Sequence, residues 1–367
     1  MISMIGIPQL DTPLTIKNTH IRNRIVMPPM VRFGWADESG KATDRFVEHY
    51  ARRARGGAGL IIVEATSVMP NGKLARSQLG IWDDEQIPGL RRIALACRKA
   101  GARVLIQLNH AGANTSRDVI GELPVAPSAV VVPGLRNGDE PPRALSQPEI
   151  RAIIRAFGLA AARAEAAGFD GVEIHGAHGF LVTQFLSPIS NRRSDEYGGS
   201  LENRMRFAIE IIREVRGRVG PDFVIGYRLG AVDFTEGGLT REEGREVAQA
   251  LEKEGVDLIN VSRGLPGDSG PDLPEDYPFD CLVSLAAPIK ESVKVPVIAV
   301  GRIVEPATAK AILAQGIADM VAVGRGMLAD PEWANKAIAG RDSEIMKCRG
   351  CADGCKRASG GCPWGKD

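Results

Sequence analysis

Two histidines three residues apart, His175 and His178, stand in the segment Val172-Glu173-Ile174-His175-Gly176-Ala177-His178-Gly179-Phe180. The apolar lead-in reads as a buried strand, and the glycines that follow read as a break before a helix around Gln184-Phe185-Leu186. Imidazoles at the end of such a strand offer paired N–H donors, suited to gripping a carbonyl or nitro oxygen. A metal pair, or two surface histidines in a loop, would use the same residues. Only five histidines occur in 367 residues, so two of them at this spacing favour a site over chance.

Gly301-Arg302 and Gly324-Arg325 form a second pattern, each closing an apolar run shortly before a helix. Glycine lets backbone N–H groups approach an anion, and arginine adds a two-pronged, charge-assisted bond. One such pair reads as a tight turn with a surface arginine; two in register read as a phosphate site. The tail supplies a third pattern, with Cys348, Cys351 and Cys355 spaced C-x2-C-x3-C and followed by Cys362-Pro363. Thiolates at this spacing suit an iron–sulfur centre, where a closing Cys-Pro is common. A four-cysteine zinc site is the rival, and a free or oxidised thiol cluster a third reading.

Eight apolar runs can position these groups: Arg24–Met30, Leu60–Ala65, Val104–Asn109, Gly171–His175, Val224–Leu229, Leu258–Ser262, Val297–Gly301 and Met320–Gly324. Amphipathic helical patterns alternate with them, among them Gln147–Ala167, Leu201–Arg218, Arg241–Glu254 and Pro306–Gln315. Ser146, Ser200 and Thr240 stand where first turns need a cap, and Gly168, Gly255 and Gly316 where helices must stop. The beat predicts a (β/α)8 TIM barrel over residues 1–340 and a cysteine-rich extension over 341–367. A doubly wound sheet would carry a glycine-rich turn after its first strand, where this chain has Met27-Pro28-Pro29-Met30. Residues 14–24 read as a hairpin that plugs the bottom of the barrel. Ile120–Arg143 and Gly264–Phe279 read as long loops on the active-site face.

A net charge of +1 argues against nucleic acid or a strongly charged partner. No run is long enough to span a bilayer, and the first residues lack the pattern of a signal peptide. Cys97 and Cys281 stand alone while the other four crowd into the last twenty residues, unlike a disulfide scaffold. A cytoplasmic enzyme is the expectation.

In such a barrel the C-terminal ends of the strands converge on one pocket. The strand ends expected to line it are Pro29, Met30, Val31, Ala65, Gln107, Asn109, His110, His175, His178, Arg228, Ser262, Arg263, Gly301, Arg302, Gly324 and Arg325. Glu64 and Glu173 are expected to face away, which leaves no acidic pair for a metal or a glycosidase. A flat, apolar, phosphorylated cofactor with polar ring edges fits this wall, namely FMN. Arg228 suits its N1/C2=O edge and Gln107 its pyrimidine portion; hydrogen bonding within the barrel is the plainer role for both.

From about Leu14 to the cysteines the chain resembles the Old Yellow Enzyme family of FMN-dependent ene-reductases, especially its 2,4-dienoyl-CoA reductase branch. The resemblance rests on Asn23-Arg24-Ile25-Val26-Met27-Pro28-Pro29-Met30, Val63-Glu64-Ala65, Gln107-Leu108-Asn109-His110-Ala111-Gly112 and the two-histidine segment. The most specific part is the run from Gln184-Phe185-Leu186-Ser187-Pro188 through Asp195-Glu196-Tyr197-Gly198-Gly199-Ser200-Leu201-Glu202-Asn203-Arg204. It implies FMN contacts at Pro29, Met30, Ala65, Gln107, Arg228, Gly301, Gly324 and Arg325, and a substrate anchor at His175 and His178. It also implies NADH or NADPH as the reductant of FMN, hydride transfer from flavin N5 to the β-carbon of an activated alkene, and a [4Fe–4S] cluster on Cys348, Cys351, Cys355 and Cys362.

Two residues depart from the family pattern. Phe180 stands where relatives carry a proton-donating tyrosine, which leaves Tyr277, Asp268 and His110 as substitute donors. Val31 stands where cysteine or threonine often tunes the flavin. The spacer before Cys362 is also short, which puts the fourth ligand in doubt. Relatives with the cluster usually continue into an FAD- and NAD(P)H-binding half, and no G-x-G-x-x-G follows a strand here. Electrons therefore come from NAD(P)H directly or from a donor protein, or the chain is part of a longer one. The alternative activity is an amine dehydrogenase or demethylase that passes electrons from substrate through FMN and the cluster. A small-molecule substrate is expected in either case; homo-oligomerisation stays open.

Overall fold

The computed structural model describes residues 8–351 together with Cys355 and Cys362. Residues 1–7, 352–354, 356–361 and 363–367, Pro363 among them, lie outside the described residues. Eight parallel strands close into a barrel: β1 (Ile25–Met27), β2 (Leu60–Ser67), β3 (Arg103–Asn109), β4 (Gly171–Gly176), β5 (Val224–Gly230), β6 (Leu258–Ser262), β7 (Val297–Ala299) and β8 (Met320–Ala322). Each pairs with the next, and β8 returns to β1 through Val321 opposite Ile25. The surrounding helices are α1 (Asp44–Arg55), α2 (Ile87–Lys99), α3 (Gln147–Ala166), α4 (Leu201–Arg216), α5 (Arg241–Lys253), α6 (Ala286–Ser292) and α7 (Pro306–Ala314).

Local chemistry accounts for the boundaries. Strand β1 stops at Met27 because Pro28 and Pro29 have no N–H to give the ladder. Ahead of α5, the Thr240 hydroxyl accepts from the Glu243 N–H at 3.1 Å while the Glu243 carboxylate accepts from the Thr240 N–H at 3.0 Å. Such a reciprocal cap is worth about 1 kcal/mol. Gly168 and Gly255 leave α3 and α5 with φ of +87° and +94°, a turn that a Cβ would strain.

Alternation along the strands sorts the barrel interior into layers. The lower layer is apolar: Val26, Leu60, Ile62, Leu105, Val224, Leu258, Ile298 and Met320 form one buried cluster. Leu14–Ile16 and Thr19–Ile21 pair as an antiparallel hairpin, and Ile16 and Ile21 join that cluster. The hairpin therefore closes the end of the barrel where the strands begin. Two residues further up on β3, β4 and β6 the interior turns polar at Gln107, Glu173 and Asn260, with Arg228 of β5 four residues above Val224, and that change of layer marks the site.

Outside the barrel, Glu64 of β2 faces α1. Its carboxylate accepts from the Arg32 N–H at 3.0 Å and from the Tyr50 hydroxyl at 3.1 Å, and burial pushes its pKa up to about 8. The folded value lies above the unfolded one, so stability is greatest below about pH 4.5 and falls as pH rises toward 8. The loss is on the order of 4 kcal/mol by pH 8. Glu64→Gln keeps the accepting oxygen and removes the titration. The variant should lose less stability than the parent between pH 5 and pH 8 in urea titrations; parallel profiles would contradict the shifted carboxyl.

Candidate active site

The polar layer is built by register. Gln107 of β3 lies opposite Glu173 of β4, and Asn260 of β6 opposite Arg228 of β5. Gln107 donates to one Glu173 oxygen at 2.7 Å and Asn260 donates to the other at 2.8 Å. This corrects the expectation that Glu173 faces away from the pocket. Glu173 and His175 are two residues apart on one strand, so alternation puts both inside, the carboxylate one layer below the imidazole. Burial pushes the Glu173 carboxyl up, while Arg228 and the two amide donors act against that shift. Glu64 does face outward, toward Tyr50.

His175 and His178 meet each other. His175 Nε2 lies 3.0 Å from His178 Nδ1, and His178 Nε2 lies 2.7 Å from Ser262 Oγ. The paired nitrogens thus form a chain that ends on a serine, rather than two parallel donors. His175 Nδ1 is buried without a partner. Burial holds both imidazoles well below the usual histidine range, and the Arg228 guanidinium adds to it. Each ring is therefore neutral at pH 7 and carries one N–H. The backbone at His178 has φ +60°, which costs a residue with a Cβ on the order of 1 kcal/mol. Its N–H donates to Arg263 O at 3.0 Å and its carbonyl accepts from Asn114 at 3.2 Å, which pins that turn.

Beside this chain, Pro29, Met30, Arg228, Gly301, Arg302, Gly324 and Arg325 line one cavity of about 360 Å³. The lining also includes Asp280, which pattern reading missed; its carboxylate lies 3.4 Å from Arg302 Nε. Arg228 is 6% exposed, and its Nε has no partner. Gly324 leaves room that a Cβ, 3.1 Å from Met30 Sδ, would take, and Gly301 has φ +141°. A buried arginine whose Nε lacks an acceptor fits a polar ring edge, and glycines followed by arginines fit a terminal phosphate. The donor set therefore suits FMN. Ala65 lies outside this lining and is tied instead to Gln78, whose side chain donates to its carbonyl at 2.6 Å. Gln107 is likewise outside it, engaged with Glu173.

Phe180 packs edge-tilted on His175, with ring centroids 4.6 Å apart, and shares an apolar cluster with Val31, Leu74 and Ala111. The two departures from the family pattern thus form one apolar wall. Tyr277 lies in the loop after β6, where its ring meets Phe279 edge-on. His110 is buried, its Nδ1 accepts from the Gly112 N–H at 3.1 Å, and burial brings its pKa down to about 4. A neutral ring with its proton on Nε2 follows.

Cys348, Cys355 and Cys362 share a small cluster with Met30, Leu328 and Ala329, immediately behind the cavity. Burial pushes the Cys355 thiol up, and the thiols of Cys348, Cys351 and Cys362 add to it. Among the described residues no group of three or more His, Cys, Asp or Glu is arranged to hold a metal ion.

A phosphate-ready cavity with a buried arginine thus lies on the C-terminal side of a closed parallel barrel, as a flavin-dependent oxidoreductase of this fold requires. Residues 9–344 match the model of the NADH:flavin oxidoreductase / NADH oxidase family. The chain belongs to that family, the Old Yellow Enzyme family. It is 48% identical to an NADH oxidase of Thermoanaerobacter brockii, over 96% of this chain and 54% of that protein. It is 40% identical to an NADPH dehydrogenase of Bacillus subtilis, over 92% of this chain and 96% of that protein. Its fold resembles a 2-naphthoyl-CoA reductase in complex with 2-naphthoyl-CoA, with a TM-score of 0.87, 31% identity and coverage of 95% of this chain and 54% of that one. The chain thus spans about half the length of some of its relatives and nearly all of others. The family implies FMN as cofactor and NAD(P)H as electron donor. Among the described residues no helix is long and apolar enough to cross a membrane.

Proposed function

We propose that this protein reduces the activated C=C bond of an α,β-unsaturated carbonyl compound or an enoyl or dienoyl thioester. The observation that carries the reading is the buried His175–His178 chain, with one unpartnered nitrogen, beside a cavity that fits FMN. FMN, when bound, supplies hydride to the β-carbon. Neutral imidazole is a donor to the activating oxygen, and its hydrogen bond strengthens as that oxygen gains charge. Phe180 and Val31 keep water from that side. Similarity to a reductase named for a CoA thioester supports the thioester substrate class. Relatives named for NADH and for NADPH leave either coenzyme, or a donor protein, as the electron source.

Phe180 has no proton to give the α-carbon, so Phe180→Tyr should raise enone turnover by tenfold or more, on the order of the gain from one general acid. An unchanged kcat in steady-state assays would mean that another group already supplies the proton.

A [4Fe–4S] cluster on Cys348, Cys351, Cys355 and Cys362 is part of the same proposal, with zinc as the other metal of the same ligands; the support is their C-x2-C-x3-C spacing and the shared packing of Cys348, Cys355 and Cys362. Their place behind Met30 supports a role in bringing electrons to the flavin. Anaerobically purified protein should contain about four iron and four sulfide per chain; zinc without sulfide would overturn this part of the reading.

The test of the activity is anaerobic mixing of reduced protein with enones and enoyl thioesters, followed at the flavin band. Rapid reoxidation is expected. Reduction of the oxidised protein by tertiary amines, with no response to enones, would favour the amine dehydrogenase instead.

A further inference from the structure

Asp280 has no role in the reading so far, although it is the one carboxylate among the described residues that line the cavity, alongside Arg228, Arg302 and Arg325. We propose that Asp280 competes with the cofactor's phosphate for Arg302, so that FMN is held less tightly than the arginines alone would hold it. The inference rests on FMN as the occupant of that cavity and concerns its phosphate end.

The long loop after β6 delivers this carboxylate, and its two oxygens have different tasks. Oδ1 accepts from the Leu282 N–H at 3.1 Å, and the Asp280 carbonyl accepts from the Val283 N–H at 2.9 Å. That turn leads through Val283–Leu285 into α6, so it anchors the acid to the barrel wall. Oδ2 is left for Arg302 and lies 3.4 Å from its Nε. A Cβ on Gly301 would sit 2.9 Å from Oδ1, so the carboxylate packs on the backbone of the first Gly-Arg pair. It therefore stands at the phosphate end of the cavity rather than at the ring edge near Arg228. Arg302 has φ +39°, and its side chain is 76% exposed against 17% for Asp280. The acid is fixed, and the guanidinium is the partner with room to swing.

A phosphate near its dianion brings more charge and more oxygens to a guanidinium than a carboxylate does. It must take Arg302 from Asp280 or share it, against the repulsion of a second negative charge close by. An ion pair with one side this exposed is worth at most about fivefold in an equilibrium. That is too little to keep FMN out and enough to loosen it. Riboflavin has no phosphate and makes no claim on Arg302, so the effect should depend on the phosphate and not on the ring.

The full chain, freed of flavin, can be titrated with FMN and with riboflavin and read by flavin fluorescence. Asp280→Asn keeps an oxygen for the Leu282 N–H and removes the charge that holds Arg302. It should bind FMN about fivefold more tightly, with riboflavin affinity unchanged. In an Arg302→Ala background the same substitution should change FMN affinity by less than about twofold, because the contested group is gone. FMN affinity unchanged or weakened in Asp280→Asn would overturn the competition. So would riboflavin gaining as much as FMN, or a gain that persists in full without Arg302. A parent chain that binds no FMN at all would overturn the cofactor assignment of the cavity and the competition with it. None of these titrations bears on which alkene is reduced, which the enone and thioester assays decide.

Discussion

Replacing Arg228 with methionine is expected to strip the protein of flavin and to lower its stability by about 3–5 kcal/mol. Arg228 is 6% exposed and is the positive charge that acts on Glu173, a carboxylate buried in the layer below the histidines. Methionine fills similar volume, so the loss comes from leaving that carboxylate without a counter-charge. The Gln107 and Asn260 amides stay in place, but they are dipoles and cannot replace a full charge. The same substitution removes the unpartnered Nε at the edge of the cavity that fits FMN. Urea unfolding and the ratio of flavin to protein absorbance read the two effects separately. Glu173→Gln added to Arg228→Met should recover much of the stability but none of the flavin. If the double variant is as unstable as the single one, the two charges are not coupled. If Arg228→Met keeps its flavin, the cavity has been assigned to the wrong cofactor.

His175→Ala should leave flavin content unchanged and lower kcat/KM for enones by about 10²–10³, the effect of losing one donor aimed at a developing oxyanion. The ring is buried and neutral, so its hydrogen bond forms in a water-poor site and does not depend on protonating the imidazole. Activity should therefore stay flat from about pH 6 to 8 as far as this pair is concerned, because burial and Arg228 hold both rings below the usual histidine range. Removing the ring also bares Phe180, which packs on it at 4.6 Å, so some stability will be lost as well. Steady-state kinetics with an enone series separates the two effects, since a purely structural loss would follow thermal stability rather than substrate electronics.

Much of this architecture is legible in the amino-acid order. The eight apolar runs are recovered as strands because each is buried on both faces and needs no partner-specific information. Their ends are less legible. Gly301-Arg302 lies in the loop past β7, and past β8 Gly324 caps a short helix that Arg325 opens, so neither pair belongs to its strand; β2 runs on to Ser67 through an irregularity between Val63 and Thr66. Period-2 counting cannot foresee such a shift. Glu173 is within reach of the same counting, since it shares a parity with His175 and so faces inward with it. Ser262 is legible as a strand end, but the partners of Asn260 and Ser262 lie beyond that kind of reasoning. Their partners, Glu173 and His178, are 87 and 84 residues away and are set by how β4, β5 and β6 align. Asp280 reaches its cavity from a long loop, where sequence periodicity carries no signal.

The most direct test of the account is anaerobic stopped-flow mixing of the reduced protein with an α,β-unsaturated ketone and with an enoyl-CoA thioester. The account predicts reoxidation of the flavin band in step with loss of the C=C absorbance, slowed by about 10²–10³ in His175→Ala. Flavin that stays reduced with every activated alkene, while tertiary amines reduce the oxidised protein, would contradict it.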